Sequence, residues 1–535
     1  MADTYNQTIM AVAKAAVEKA KANPMTPNEI ESFALAAIRN DCLMYNSIAQ
    51  PGAKWKIPTK LPNRPIAYIL IHLHNVKLID TGTDETERTK MLIGIYDESK
   101  GIYSTNESDI NRIAGQYNAE LNNNDIKEIS RILHEDAPLV KRCEKENLIA
   151  VNNGIFDFDT KQLMPFTPDV VFTSKSERDY NPNATNVVIH NDEDGTDWDV
   201  ESWVLDLMDD DKEMAELIWK VIGATVRPLA SWKRACFMYS EKGNNGKGTL
   251  CLLMRNLVGR GNHTSISLSD FSKDFRLEPL THVSAVIVDE NDVGTYIDKA
   301  ADLKATITGD PIQINMKYKT PISFRPKVFM VQCLNEMPKV KDKSDSFYRR
   351  QLFIPFTKCF TGMERKYIKD DYLNRKEVLE YVLYRVLNMN YYEFDEPEKC
   401  KNALAEYKEF NDPMRQFVSD TLPEMMWNEI PNEFYYDLYK AWYKKNVSES
   451  LRGITSGRVF RKDLVLISNY IEELGFRIEE KASRIKFDKP EYLIYDYKLE
   501  DWYNPNYNGN DVNKICMPEG SKNGKKYNYK LVRIK

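Results

Sequence analysis

The run Gly243-Asn244-Asn245-Gly246-Lys247-Gly248-Thr249 has the composition of a loop that cradles phosphate. It follows the apolar stretch Ala235-Cys236-Phe237-Met238-Tyr239, so the pattern predicts a strand feeding a glycine loop that opens a helix. Such a turn aims backbone N–H groups and the positive helix end at the β- and γ-phosphates of a nucleotide. Gly243 and Gly246 permit the backbone conformations the loop needs, and Lys247 would neutralise charge on the β/γ oxygens. The general pattern places Ser or Thr directly after this lysine to hold magnesium. Here that position is Gly248, followed by Thr249. Either Thr249 supplies the hydroxyl or a water replaces it. The expected cofactors are ATP and Mg2+.

A second apolar run, Val286-Ile287-Val288, ends in Asp289-Glu290, 42 residues after Lys247. A buried strand ending in two acids delivers carboxylates to the C-terminal edge of a sheet, where α/β folds bind their ligands. Asp289 would hold magnesium, directly or through water, and Glu290 would polarise an attacking water. The bland alternative is a pair of acids capping the next helix. A third run, Lys327-Val328-Phe329-Met330-Val331, leads to Asn335, which could orient the same water. Arg349 and Arg350 lie too far along the chain to be assigned to its own site. A guanidinium inserted into a neighbouring subunit's site stabilises transition-state charge. That reading requires an oligomer, whereas a surface ion pair would not.

Between the acids and Asn335, strict alternation from Ile312 to Met316 predicts a half-buried strand, with Ile322 to Phe324 as its antiparallel partner. Lys317-Tyr318-Lys319 then falls near the hairpin tip. Two ammonium groups beside an aromatic ring suit a nucleic-acid backbone. Lysines on a solvated hairpin edge are the plain alternative.

These runs imply an α/β core over 217–370. At 535 residues the chain is long enough for several domains. A mostly helical stretch occupies 1–90, with a proline-containing break from Pro51 to Pro65. A mixed α+β region follows over 91–216, including strand pairs near 92–103 and 148–157. A mainly helical, aromatic-rich region fills 371–535. No run of about 18 apolar residues predicts a membrane span, and no secretory signal is expected at the N-terminus. The net charge is −6, yet Asp192–Glu216 holds twelve acids and one base, whereas Lys317–Arg350 holds nine bases and three acids. The acidic stretch reads as a solvated loop and helix face separating two regions. The last fifteen residues carry six bases and no acids. Eight cysteines are scattered without a C-x-x-C pair, the pattern of buried reduced thiols in a cytosolic protein.

Taken together, these residues resemble a superfamily 3 helicase, in particular the D5-like group of phages, plasmids and large DNA viruses. The loop matches that family's G-x-N-G-K-S-T except at Gly248. The acid pair is Asp289-Glu290, and Leu303-Lys304-Ala305-Thr306-Ile307-Thr308-Gly309-Asp310-Pro311-Ile312 with Lys317-Tyr318-Lys319 is similar to its L-K-x-x-T-G-D-P-I and hairpin motifs. Cys333-Leu334-Asn335-Glu336-Met337-Pro338 matches its asparagine motif and Arg349-Arg350 its arginine finger. Upstream, Asn152-Asn153-Gly154-Ile155-Phe156-Asp157-Phe158 with Pro165-Phe166-Thr167-Pro168-Asp169 is similar to the domain that precedes the motor. Downstream, roughly 434–480 resembles its winged-helix end.

The resemblance implies an AAA+-like P-loop core with a winged-helix-like C-terminal domain. It implies an ATP-dependent DNA helicase forming a ring, most simply a hexamer, that moves 3′ to 5′ on single-stranded and forked DNA. Lys304, Lys317, Tyr318 and Lys319 would contact DNA. An origin-binding or primase partner and a bacterial host cytoplasm fit the same picture. Residues 1–85 are too short for the polymerising primase domain of some relatives. Two other readings remain: an ATP-gated origin-binding initiator with weak unwinding, and a P-loop small-molecule phosphotransferase, since nucleoside monophosphate kinases share the G-K-G-T ending.

Overall fold

A computed structural model of the chain describes residues 2–292, 294–297, 299–317, 320–342, 344–447 and 454–534. The chain forms two compact units, 1–404 and 405–535. Among the described residues, no helix is long and apolar enough to cross a membrane.

The first unit begins with helices Ala2–Ala22, Pro27–Ile48 and Asn63–Leu73. Ile9, Ala16 and Val17 recur on one face of the first and pack with Ile30, Ala34, Ile38, Ile66 and Leu70 of the others. Thr26 starts the second helix with a capping box: its N–H donates to Glu29 Oε2 at 2.8 Å and its hydroxyl accepts from the Glu29 N–H at 3.4 Å. A four-stranded sheet follows in the order Ile102–Ser104, Leu92–Asp97, Lys77–Ile79, Leu139–Val140. An antiparallel meander, Leu148–Val151, Gly154–Asp157 and Gln162–Met164, comes next, with the expected Asn-Gly turn between its first two strands.

The boundaries differ from the sequence expectation. A division at 90/91 cuts the sheet in which Lys77–Ile79 pairs with Leu92–Asp97. A division at 216/217 falls inside helix Lys212–Thr225. A division at 370/371 splits a single core that runs from Ile149 to Cys400. The acidic stretch is likewise structured. Asp199 and Asp211 cap the helices Val200–Leu207 and Lys212–Thr225, whose Trp203, Val204, Leu207, Leu217 and Ile218 lie in that core. Three of its other acids find cations: Arg385 reaches Glu201 at 3.0 Å and Glu216 at 2.8 Å, and Lys358 reaches Asp206 at 2.6 Å.

Within the same unit, the elements that carry the candidate chemistry are β1 (Ala235–Tyr239), α1 (Lys247–Val258), β2 (His263–Thr264), β3 (Ala285–Val288), α2 (Ala301–Thr308), β4 (Ile312–Ile314), β5 (Ile322–Phe324), β6 (Phe329–Leu334), α3 (Asp345–Tyr348) and β7 (Gln351–Pro355). Five of them form a parallel sheet in the order β2-β3-β6-β1-β7. A parallel sheet is covered on both faces, so its strands read as continuous rather than alternating apolar runs. β3 and β6 are buried at every position. β4 and β5 form the separate antiparallel hairpin, with Ile312 opposite Phe324 and Ile314 opposite Ile322.

The second unit contains helices Pro413–Thr421, Asn432–Asn446, Gly457–Leu466 and Ser468–Glu473. Its three-stranded antiparallel sheet has the order Glu429–Pro431, Lys530–Arg533, Phe476–Glu479. The aromatic residues of this region form its core: Phe417, Tyr435, Tyr439, Trp442 and Phe460 pack ring against ring. Lys530 is buried between Glu429 at 3.0 Å and Glu479 at 3.1 Å.

Candidate nucleotide site

β1 leads into the glycine loop, and the loop caps α1. Asn244 and Gly246 both take left-handed backbone, with φ of 51° and 82°. Gly246 is the N-cap, so the turn that exposes the first α1 N–H groups depends on a residue without Cβ. A methyl there would also meet Leu207 Cδ2 at 2.3 Å. The segment after β7 braces the loop from outside: Phe360 N–H donates to Asn244 O at 2.7 Å, and Asn244 Nδ2 donates to Glu364 Oε1 at 3.1 Å. Asn245 closes it from inside, its Oδ1 accepting from Lys247 N–H at 3.2 Å and its amide donating to Lys242 O.

Lys247 is 4% exposed. Its ammonium donates to Leu334 O at 2.9 Å, to Asn335 Oδ1 at 3.1 Å and to Ser240 O at 3.3 Å. Burial holds this amine below the ordinary lysine range, while the Cys333 and Cys251 thiols and the Asp289 carboxylate act the other way. Lys247 and Asn335 therefore meet, although 88 residues separate them in sequence. The sheet order explains it, because β6 lies between β1 and β3 and ends beside the loop.

Asp289 and Glu290 follow the last residue of β3, on the far side of β6. Gly248, in the first turn of α1, faces Asp289: a Cβ at Gly248 would lie 2.8 Å from Asp289 Oδ1. Among the described residues, Thr249 makes no hydrogen bond to Asp289. Arg255, two turns further along α1, places Nη1 3.9 Å from Asp289 Oδ2. Glu290 and Asn335 are exposed at the same sheet edge.

Residues that sequence reasoning passed over hold this edge together. Asn291 is 4% exposed; its amide donates to Gln332 Oε1 and Cys333 O, both at 3.0 Å, and its Oδ1 accepts from Leu268 N–H at 2.9 Å. Gln332 donates in turn to Ile266 O at 3.0 Å. This buried amide chain ties the residue after the acid pair to the strand that leads to Asn335. The available signal was Gln332 itself, one polar residue within the apolar run Phe329–Leu334, where a buried amide requires partners.

The remaining expected residues lie elsewhere. Arg349 and Arg350 precede β7, and Ala235 pairs with Gln351, so both sit at the opposite end of the sheet from Lys247. Five residues of β7 intervene, about 16 Å at roughly 3.3 Å per residue. Arg350 is tied to Ser346, donating to its hydroxyl at 2.6 Å and to its carbonyl. Arg349 is exposed and makes no side-chain hydrogen bond among the described residues. Lys304, on α2, is paired with Asp342 at 2.5 Å. Lys317 is exposed beyond β4, while Tyr318 and Lys319 fall outside the described residues.

Comparison with known proteins places these segments. Residues 74–209 match the family described as D5 N terminal like, 238–350 a family of unknown function, and 409–504 the family described as poxvirus D5 protein-like. A protein of Acanthamoeba polyphaga mimivirus, named as a helicase, is 24% identical over 361 residues, covering 61% of this chain. The match spans 36% of that relative's length. Two apo structures of the NrS-1 C-terminal region are similar at a TM-score of 0.40 each, with 13% and 14% identity. They cover 86% and 71% of this chain and 96% and 92% of their own. D5-type segments thus lie on both sides of the nucleotide-site region, and the chain is similar to a helicase-named relative over 61% of its length.

Proposed function

We propose that this chain is an ATP-hydrolysing motor that unwinds DNA as a ring, most simply a hexamer, and belongs to superfamily 3. The observation that carries the reading is the sheet order. Placing β6 between β1 and β3 gathers Lys247, Asn335, Asp289 and Glu290 at one edge and leaves Arg349 at the other. In this reading the N–H groups of the Gly243–Gly248 loop and the Lys247 ammonium bind the phosphates. That lysine exchanges its bonds to Leu334 O and Asn335 for phosphate oxygens. A magnesium ion would be held by Asp289, with water at the position relatives fill by a hydroxyl, because the residue beside that carboxylate is Gly248. When bound, magnesium withdraws charge from the β/γ-phosphate oxygens. Glu290 accepts a proton from the attacking water, and Asn335 orients that water. Arg349 serves a neighbouring copy's site.

DNA contact falls to the β4–β5 hairpin, whose tip carries Lys317, and the 3′ to 5′ direction follows the family resemblance. In the second unit, a helix, a strand, three helices and two further strands of the same sheet, in that chain order, support a winged-helix reading. Arg458 and Lys462 are exposed on helix Gly457–Leu466, a disposition suited to duplex at an origin or to a loading partner. The decisive experiment offers the full chain a forked duplex with ATP and magnesium. Strand displacement is expected, together with hydrolysis stimulated by single-stranded DNA. Hydrolysis without any displacement would reduce the protein to an ATP-gated initiator.

A further inference from the structure

Under the phosphate loop lies a pair of thiols that the proposed reaction does not use. Cys251 is on α1, one turn after Lys247, and Cys333 is on β6, two residues before Asn335. They are 0% and 1% exposed, and their sulfurs are 3.3 Å apart. A carboxylate oxygen of Asp289 joins them, with all three donor atoms within 4.8 Å of one another.

We infer that Cys251, Cys333 and Asp289 form a binding site for a thiophilic divalent cation of the zinc type. Zinc takes thiolate sulfur at about 2.3 Å and carboxylate oxygen at about 2.0–2.2 Å in a tetrahedral shell. Two sulfurs on one such ion are about 3.8 Å apart, from the same bond lengths, so the pair needs to part by only a fraction of an ångström. The fourth position is left to water. Soft thiolates select zinc over magnesium, which keeps to hard oxygen donors. Binding expels both thiol protons to solvent and needs no oxidant or reductant. The Lys247 ammonium and the Arg255 guanidinium, 3.9 Å from Asp289, offset the charge of two thiolates and a carboxylate.

Gly248 makes the arrangement possible. It lies three residues before Cys251, on the same face of α1. A side chain at Gly248 would collide with Asp289 Oδ1 at 2.8 Å and displace it from the thiols. The Asp289 side chain is 40% exposed and gives the ion its entry. An ion held there withdraws Asp289 from magnesium, a consequence that rests on the proposed role of Asp289 in hydrolysis.

Cobalt(II) titrated into the full, reduced chain without nucleotide tests the site by its thiolate-to-cobalt charge-transfer band. One equivalent per chain is expected, bleached by zinc. Binding should weaken at least tenfold in Cys251→Ser and in Cys333→Ser. The same is expected for Asp289→Asn, whose partly exposed position spares the core. No band, a band unchanged in both thiol variants (cobalt on Cys359 or another thiol), or a disulfide forming between Cys251 and Cys333 in place of cobalt binding would overturn the inference. Zinc inhibition of hydrolysis at fixed free magnesium is read separately. Cobalt binding without that inhibition would leave the metal site standing and remove Asp289 from the proposed magnesium role.

Discussion

At the scale of single residues, the position after the phosphate-loop lysine decides how the metal side of the site is built. A hydroxyl there would share magnesium with the acid of β3; in this chain the space belongs to Asp289 itself. Gly248→Ser brings a hydroxyl to that carboxylate at the cost of shifting a flexible, partly exposed side chain. The magnesium concentration for half-maximal hydrolysis should then fall about three- to tenfold, the size of one added charged-group contact. Gly248→Val cannot clear the carboxylate and should lower hydrolysis more than about a hundredfold. Thr249→Ala should leave the magnesium dependence within about twofold. A strong magnesium defect in Thr249→Ala, with none of the expected gain in Gly248→Ser, would return the ligand role to Thr249.

At the scale of elements, the loop conformation is held by packing from outside it. Gly246 combines left-handed backbone with the approach of Leu207, from the end of the helix preceding Lys212–Thr225. Gly246→Ala should lower stability by about 1–3 kcal/mol through backbone strain, with more from the clash. Adding Leu207→Ala should recover the clash component but not the strain, read by nucleotide affinity and by thermal melting relative to Leu207→Ala alone, which itself loses a buried core side chain. Equal effects of the single and double variants would mean Leu207 does not seat the loop.

This dependence also marks how much the sequence could disclose. β1, β3, β6 and the hairpin strands β4 and β5 were legible because parallel strands buried on both faces and alternating hairpin strands leave distinct apolar patterns. Lys247, the acids, Asn335 and the two arginines stood out as candidates by type and order; the sheet brings the first four to one edge and leaves the arginines at the other. The Leu207 contact, the Phe360 brace and the Asn291–Gln332 chain were not, because each joins segments tens of residues apart. The acidic stretch was legible as a solvated loop and helix face, but not as part of the core it borders. Counting charge missed that its acids cap helices whose opposite faces, with Trp203 and Leu207, enter the core.

At the scale of the whole molecule, the two units carry separable tests. In the second, Glu491 is buried while accepting from the N–H groups of Met426 at 2.8 Å and Trp427 at 3.1 Å. Burial outweighs those donors and pushes the carboxyl up to about 7. A folded-state value raised above the ordinary one near 4.5 contributes stability that is fully present below that value. It is lost as pH rises through about 7, a change on the order of 3 kcal/mol. Calorimetric melting of the full chain should show the transition of 405–535 falling between pH 5 and 8, and Glu491→Gln should flatten that dependence.

The first unit tests assembly. Its sheet separates Arg349 from Lys247 by the length of β7, so no rearrangement of side chains alone completes a site within one copy. Lys247→Ala and Arg349→Ala proteins should each be nearly inactive by themselves, for different reasons. In a 1:1 mixture, random neighbours place an intact loop against an intact arginine at about one interface in four, so hydrolysis should return to about a quarter of wild type. Arg350→Ala should not substitute for Arg349→Ala in this assay, because its guanidinium is committed to Ser346. Recovery only with the Arg350 variant would exchange the two roles. No recovery with either would place the complete site within one chain and remove the physical reason for a ring.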